Sequence, residues 1–321
     1  MKSINGINWK ESNIPERLIL KNKQKFSISY LLSKIFIDKH YTDEEIHNSI
    51  YKMQQKKIIY KNQDFKLAYK FIFDCYKNNK KILIFGDYDV DGYSSVYLLY
   101  DYLINLNINC NYFIPNRLLD GYGPNKLLLE KLINKNNYEL IIFVDCGSNS
   151  LEEINYLEKR GLSTIIIDHH KVHEQKRFKK TVLINPLKNP TDKKHFLFCA
   201  TSLVYFFIKY LIENFKINKN IDLNKYLFFS AIATICDQMP LRDYNKSIVI
   251  NGLKNFKYNN FKNLNKLLNL KNRLMTSDIS FSLGPILNSP SRLGFSDLPI
   301  SLLIEKNKFN IDKISERLIF L

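Results

Sequence analysis

Lys81-Ile-Leu-Ile-Phe-Gly-Asp-Tyr-Asp-Val-Asp-Gly-Tyr-Ser-Ser95 is the stretch on which the reading of the whole chain turns. Ile82 to Phe85 is an apolar run too short for a helix and without a polar face, the pattern of a strand buried on both sides of a parallel sheet. It empties into acids at alternate positions, Asp87, Asp89 and Asp91. Gly86 and Gly92 suit a tight turn, and Ser94 to Leu103 resumes with apolar residues near i, i+3 and i+4, as an amphipathic helix does. This predicts a β-turn-α unit with carboxylates at its mouth. In open α/β sheets ligands bind beyond the carboxyl ends of the strands, and three acids packed there repel one another unless a cation holds them.

Downstream the pattern repeats. Tyr138 to Val144 reads as a buried strand ending in Asp145, Leu162 to Ile167 as another ending in Asp168-His169-His170, and Asn111 to Ile114 and Thr181 to Ile184 as shorter ones. Strand and helix signals alternate from 81 to 186, which predicts an α/β fold with a doubly wound, mainly parallel sheet. On the amino-terminal side, Ser27 to Phe36 has helical spacing and Thr42-Asp-Glu-Glu45 reads as a capping box. On the carboxyl-terminal side, Phe196 to Phe215 and Leu223 to Cys236 read as buried helices, the second delivering Asp237 before Pro240. Further helices are expected at about 246–256, 261–270 and 310–321. The Gly- and Pro-rich run Phe281 to Gly294 is expected to be a loop that exposes Arg292. The expected division is a helical lead-in at 1–76, a catalytic domain at 77–305 and the start of a linker helix at 306–321.

An apolar fraction of 45% over 321 residues supports a full core. The formal charge of +17 suits a polyanionic partner such as nucleic acid, although no block of like charge concentrates it and a drift toward Lys, Asn and Ile codons also raises it. Cys75, Cys110, Cys146, Cys199 and Cys236 are dispersed, without a C-x-x-C pair, and read as reduced, mostly buried residues. The first residues lack the apolar core of a signal peptide, and the longest apolar stretch falls short of a bilayer span, so a cytoplasmic protein without a membrane partner is expected.

Taken singly, an Asp after a strand caps the next helix. Together, three strands ending in acid, two histidines and Asp237 converge on one sheet edge. Carboxylates with imidazole suit hard to borderline divalent ions, manganese preferred and magnesium possible. The acids suffice for two ions roughly 4 Å apart, the arrangement that activates water against a phosphoester. No G-x-x-x-x-G-K-[ST] loop is present, which speaks against ATP-driven work.

G-D-Y-D-V-D-G at 86–92, V-D at 144–145, D-H-H at 168–170 and D-Q-M-P-L at 237–241 resemble the four motifs of the DHH phosphoesterases. Within them Pro115-Asn-Arg117, Asp120-Gly-Tyr-Gly123, Asn185-Pro186 and the run at 283–294 resemble the RecJ branch, exonucleases specific for single-stranded DNA that degrade from the 5′ end. The resemblance covers about residues 25 to 305. It implies that Asp89 holds one ion, that Asp145 bridges both, and that Asp91, His169 and Asp237 hold the other. Asp87 would be a further ligand or lie behind one, and Asp168 would steady His169 from behind the metal. His170 would face the scissile phosphate, and Asn288 and Arg292 would bind the backbone of the strand.

Two departures from that family are visible. Ile286 stands where an Arg is usual, and the chain ends before the DHH-associated and oligonucleotide-binding domains. A partner such as a single-strand-binding protein, or a domain supplied in trans, would then complete the grip. The rival readings are a phosphodiesterase of short oligonucleotides or cyclic dinucleotides, and a non-catalytic interaction protein, which would be expected to have lost ligands.

Overall fold

The computed structural model describes residues 4, 6, 8, 10, 12–50, 62–174, 178–188, 197–215, 221–254, 256, 261–268 and 274–321. Two compact units divide the chain, Met1–Lys57 and Ile58–Leu321.

The first unit holds α1 (Glu16–Phe26), α2 (Tyr30–Asp38) and α3 (Asp43–Ile50) around Phe26, Phe36 and Ile46. The expected capping box opens α3: the Glu45 amide donates to Thr42 Oγ1 at 3.2 Å and the Thr42 amide to the Glu45 carboxylate at 2.7 Å.

The second unit begins with α4 (Asp64–Lys77) and continues as β1 (Lys81–Phe85), α5 (Val90–Asn105), β2 (Cys110–Phe113), α6 (Lys126–Lys135), β3 (Tyr138–Val144), α7 (Leu151–Lys159), β4 (Ser163–Ile167) and β5 (Thr181–Ile184). Among the described residues these five strands form one parallel sheet in the order β2-β1-β3-β4-β5. The alternation of side chains explains why the strands read as continuous apolar runs. Ile82 and Ile84 face a core shared with α4 and α5, while Leu83 and Phe85 face a second core built with α6 and α7. Both faces are therefore covered, the doubly wound arrangement expected. Strand order reverses between β1 and β3, which opens the crevice at their carboxyl ends.

The carboxyl-terminal part is helical: α8 (Ala200–Phe215), α9 (Leu223–Cys236), α10 (Asp243–Lys254), α11 (Lys262–Asn265), α12 (Thr276–Asp278), a π turn (Ile279–Leu283), α13 (Gly284–Arg292), α14 (Leu298–Ile304) and α15 (Lys308–Phe320). α8 and α9 pack across α5 and bury most of their side chains. Phe196 and the end of the helix expected at 261–270 lie outside the described residues. Among those described, no helix is long and apolar enough to cross a membrane. All five cysteines are free thiols, four of them buried.

The expected loop at 281–294 is instead helical, despite its prolines. Pro285 lies in the first turn of α13, where a missing amide is tolerated, and the π turn before it is closed by the Gly284 amide on Ile279 O. Pro290 frees the carbonyl of Ile286, and the Ser289 hydroxyl donates to it at 3.3 Å. Ile286 itself is half-buried against the core.

Candidate metal centre

β1, β3 and β4 lie side by side and end level with one another, so the residue after each strand reaches the same rim. The ladder runs past the strand ends: the Asp145 amide donates to Ile167 O at 2.9 Å and the Asp168 amide to Ile184 O at 3.1 Å. Asp145 itself has φ 61°, a left-handed conformation rare for a residue with a side chain, and such strain gathers at functional sites. Between β1 and α5, Gly92 lets the helix start against the turn, since a Cβ there would meet the Asp87 backbone at 2.4 Å. α5 starts earlier than the sequence suggests. Asp89 is its N-cap, accepting from the Gly92 amide at 2.9 Å, and Asp91 lies in its first turn.

Asp237 arrives from the other half of the unit. It is the C-cap of α9, where the amides of Asp237 and Met239 close on Ala233 O and Thr234 O. Its carboxylate stands 3.5 Å from His169 Nε2, with Asp145 Oδ1 at 3.2 Å and Asp91 Oδ2 at 3.6 Å from the same nitrogen. Three sets of ligand-type atoms gather within 4.8 Å: Asp91, His169 and Asp237; Asp87, Asp89 and Asp145; and Asp145, His169 and His170. Asp145 belongs to two of these sets and lies between the acids of β1 and the histidines of β4.

The electrostatics ask for a cation. Asp87 Oδ1, Asp145 Oδ1 and Asp237 Oδ2 are buried and accept no hydrogen bond from the described residues. Burial, then the neighbouring Asp91, Asp89, Asp87 and Asp168, hold the Asp145 carboxyl well above the usual carboxylate range. Burial and Asp89 push Asp87 up to about 7, and burial with Asp91 and Asp89 does the same for Asp237. Asp89 is raised too, by burial and then by Asp91. Orphaned carboxylate oxygens crowded against one another, beside one imidazole, fit divalent ions of the oxygen-and-nitrogen class.

His170 stands apart chemically. Its Nδ1 lies 2.8 Å from Asp168 Oδ1, and this bond raises its pKa from 6.5 to about 9. Burial is the largest single influence on the Asp168 carboxyl and works to raise it, but the bonds and charge of His170 together with the bond from Ser148 outweigh it and hold Asp168 below the usual range. The expectation that Asp168 steadies His169 is therefore corrected: His169 gives Asp168 only its backbone amide, at 2.7 Å, and the ring behind which Asp168 stands is that of His170. The reason is direction, because the Nε2 edge of His169 turns into the acids. Asn185 completes the support, its Nδ2 donating to His170 O and Ser148 Oγ, each at 2.9 Å.

Asn288 and Arg292 share one face of α13. Asn288 Oδ1 accepts from the Val90 amide at 3.1 Å, so part of the side chain expected on DNA is spent holding the start of α5. Arg292 is exposed.

Tyr122, Arg117 and Thr201 lie near the site and were not singled out from the sequence. Tyr122 lies in the Gly121-Tyr-Gly123 loop, and its hydroxyl is 3.3 Å from Asp145 O and 3.4 Å from His170 Nδ1. Arg117 stacks on Tyr88, 5.1 Å from the ring centroid. The loops quoted above contain Tyr122 and Arg117, so their place in those loops was a usable signal. Thr201 had none, since it meets Asp91 from 110 residues away.

Comparison with known proteins bears on the fold that carries these residues. A profile of the DHH family, N-terminal domain, matches residues 81–234. The chain is 29% identical over 240 residues to the single-stranded-DNA-specific exonuclease RecJ of Bacillus subtilis (strain 168), covering 74% of this chain and 29% of that protein. It spans 29% to 44% of the length of the first curated relatives it matches. A crystal structure of exonuclease RecJ bound to manganese superposes with a TM-score of 0.72 at 23% identity, covering 81% of this chain and 66% of the other. RecJ from Thermus thermophilus in complex with Mn2+ gives 0.74 at 19% identity, over 96% and 44%. At these identities the two structures speak for the fold. The profile match to the N-terminal domain of the DHH family spans residues 81–234 and so takes in all five strands of the sheet on whose rim the acids gather, and the manganese-bound RecJ structure shares this fold.

Proposed function

We propose that this chain is a metal-dependent phosphoesterase that removes nucleotides from the 5′ end of single-stranded DNA, in the cytoplasm and in the service of DNA repair and recombination. The observation that carries the reading is the trio of buried carboxylate oxygens on Asp87, Asp145 and Asp237, without a hydrogen-bond donor among the described residues, set beside His169 and next to the His170 ring that Asp168 holds. Residues 77–305 are the catalytic body in this reading, with 1–76 as a helical lead-in and 306–321 as the start of a linker.

Asp87, Asp89 and Asp145 would hold one divalent ion, and Asp145, Asp91, Asp237 and His169 the other, manganese being preferred over magnesium because of the imidazole. When bound, the ions lower the pKa of an attacking water and neutralise charge on the phosphate. The protein's own contribution is positional. The Asp168 carboxylate keeps the Nδ1 proton of His170, so the ring is cationic at neutral pH and its Nε2–H is the donor available to a phosphate oxygen or to the departing oxygen. Tyr122 braces this pair from the side by donating to Asp145 O. Arg292 supplies a phosphate contact further along the strand.

The test is degradation of single strands labelled at either end, with manganese, against dinucleotide and duplex substrates. The proposal expects mononucleotides released first from the 5′ end of single strands. Faster turnover of dinucleotides than of strands would favour the small-substrate phosphodiesterase, and no hydrolysis of any substrate would favour the interaction protein. Adding a single-strand-binding protein, or an oligonucleotide-binding domain in trans, tests whether a partner improves the grip.

A further inference from the structure

On the Asp237 side of the cluster lies a cleft of about 570 Å³, and of its lining the proposed chemistry uses Arg292 alone. Cys236 and Gln238, the neighbours of Asp237, form one wall, and Phe281, Pro285, Asn288 and Arg292 form the other. The walls cannot slide together or apart freely. A Cβ on Gly284 would lie 2.9 Å from Cys236 Sγ, so the start of α13 meets the end of α9 at a distance only glycine allows.

Phe281 is 85% exposed and has no aromatic partner among the described residues. It stands on the π turn, whose extra residue shifts the side chains out of helical register, and such turns recur at functional sites. An apolar ring facing water on the rim of a polar cleft is the feature to explain. Its neighbours narrow the answer. Asn288 has committed Oδ1 to Val90 and keeps its Nδ2 amide to donate, Gln238 offers a second amide, and Arg292 brings a guanidinium with no carboxylate partner among the described residues. A ring for the face of a base, amides for its edge and a guanidinium for its phosphate together fit one nucleotide, and the cleft volume lies in the range of small-ligand sites. An apolar side chain of a protein partner would use the ring but leave both amides and the cation unmatched.

We propose that this cleft is a nucleobase subsite, in which Phe281 stacks on a base of the single strand close to the scissile phosphate while Arg292 holds the phosphate beside it. The inference rests on the single-strand reading above and extends it, because stacking is sequence-tolerant and grips a strand without reading it. The subsite borders Asp237, whose neighbours Cys236 and Gln238 line it, so a bound strand would meet the ring beside the acids.

The test uses the full chain with calcium, which permits binding without rapid hydrolysis, and short 3′-labelled oligothymidylates read by fluorescence anisotropy. Phe281→Ala should weaken binding roughly tenfold, whereas Phe281→Trp, which keeps a stacking face, should stay within about twofold of wild type. A series of oligonucleotides with one abasic position each then locates the contact. At one position the abasic strand should bind wild type and Phe281→Ala equally, since the partner of the ring is gone. Equal binding of Phe281→Ala and wild type to intact strands, with hydrolysis in manganese intact, would overturn the subsite while leaving the proposed function standing. An equal loss in Phe281→Ala at every abasic position would also overturn it, because the ring would then act other than by stacking. A wild-type chain that neither binds nor cleaves single strands would overturn both.

Discussion

Thr201 donates its hydroxyl to Asp91 Oδ1 at 2.6 Å and its amide to the same oxygen at 2.8 Å, while the Ala200 amide donates to Oδ2 at 2.7 Å. A carboxylate from the first turn of α5 therefore caps the first turn of α8. Asp91 is almost fully buried, and its Oδ2 is the oxygen that also faces His169. Thr201 acts on the candidate metal centre through Asp91, as a positioning residue. Thr201→Val should weaken the manganese site built on Asp91, His169 and Asp237 by about tenfold, and Thr201→Ser should restore it. Calorimetric titration of both variants decides: unchanged affinity in Thr201→Val would show that Asp91 holds its place without this bond.

The neighbouring histidines should separate cleanly. His169→Ala removes the nitrogen that meets three acids and should lose bound metal, seen by elemental analysis after dialysis. His170→Ala should keep its metal and lose turnover by about 10²-fold, the scale of a donor to developing charge. Loss of the same ion from both variants would merge their roles.

Asp145 is best probed with two substitutions. Asn tolerates the left-handed backbone at this position, whereas Ala adds backbone strain to the loss of charge. Asp145→Asn should fold as wild type and lose affinity for both ions together, while Asp145→Ala should also melt earlier. Retention of two tight ions by Asp145→Asn would remove the bridging assignment.

The apo protein should become less stable as pH rises. Asp87 and Asp237 keep protons in the folded state up to about 7 against 3.8 in a free chain, so their contribution is present below pH 3.8 and lost as pH climbs through 7. The raised His170 acts in the same sense, its contribution being lost as pH passes through about 9. Manganese needs the deprotonated acids, so its stabilising effect should grow over the same window. Thermal melts at about pH 5 and about pH 8, with and without manganese, should show the apo transition falling and the metal-induced shift widening. A metal shift that shrinks toward pH 8 would contradict the clustered acids.

Much of this was legible because buried parallel strands announce themselves. Tyr138–Val144 and Thr181–Ile184 match their expected bounds, and each acid at a strand end was visible as a polar residue after an apolar run. The helices at 276–292 were hidden by Pro285 and Pro290, since the compensating π turn and the Ser289 bond depend on tertiary surroundings rather than on local propensity. The pairing of Asp168 with His170 was hidden for another reason. Adjacent histidines are equivalent in sequence, and only the direction of each ring tells them apart.

The level strand ends have a last consequence. Asp145 and Asp168 sit one residue past neighbouring strands, each tied by its amide to the next strand, so the sheet acts as a comb whose pitch fixes how far apart the acids stand. That pitch is the hydrogen-bonding distance between strands, about 4.8 Å in any sheet, and no surface substitution alters it. A lysine-rich exterior can therefore drift widely while the spacing of the acids stays constant. Tuning this centre is left to the groups that aim the carboxylates, Thr201 for Asp91 and the Gly92 amide for Asp89, and not to the scaffold that spaces them.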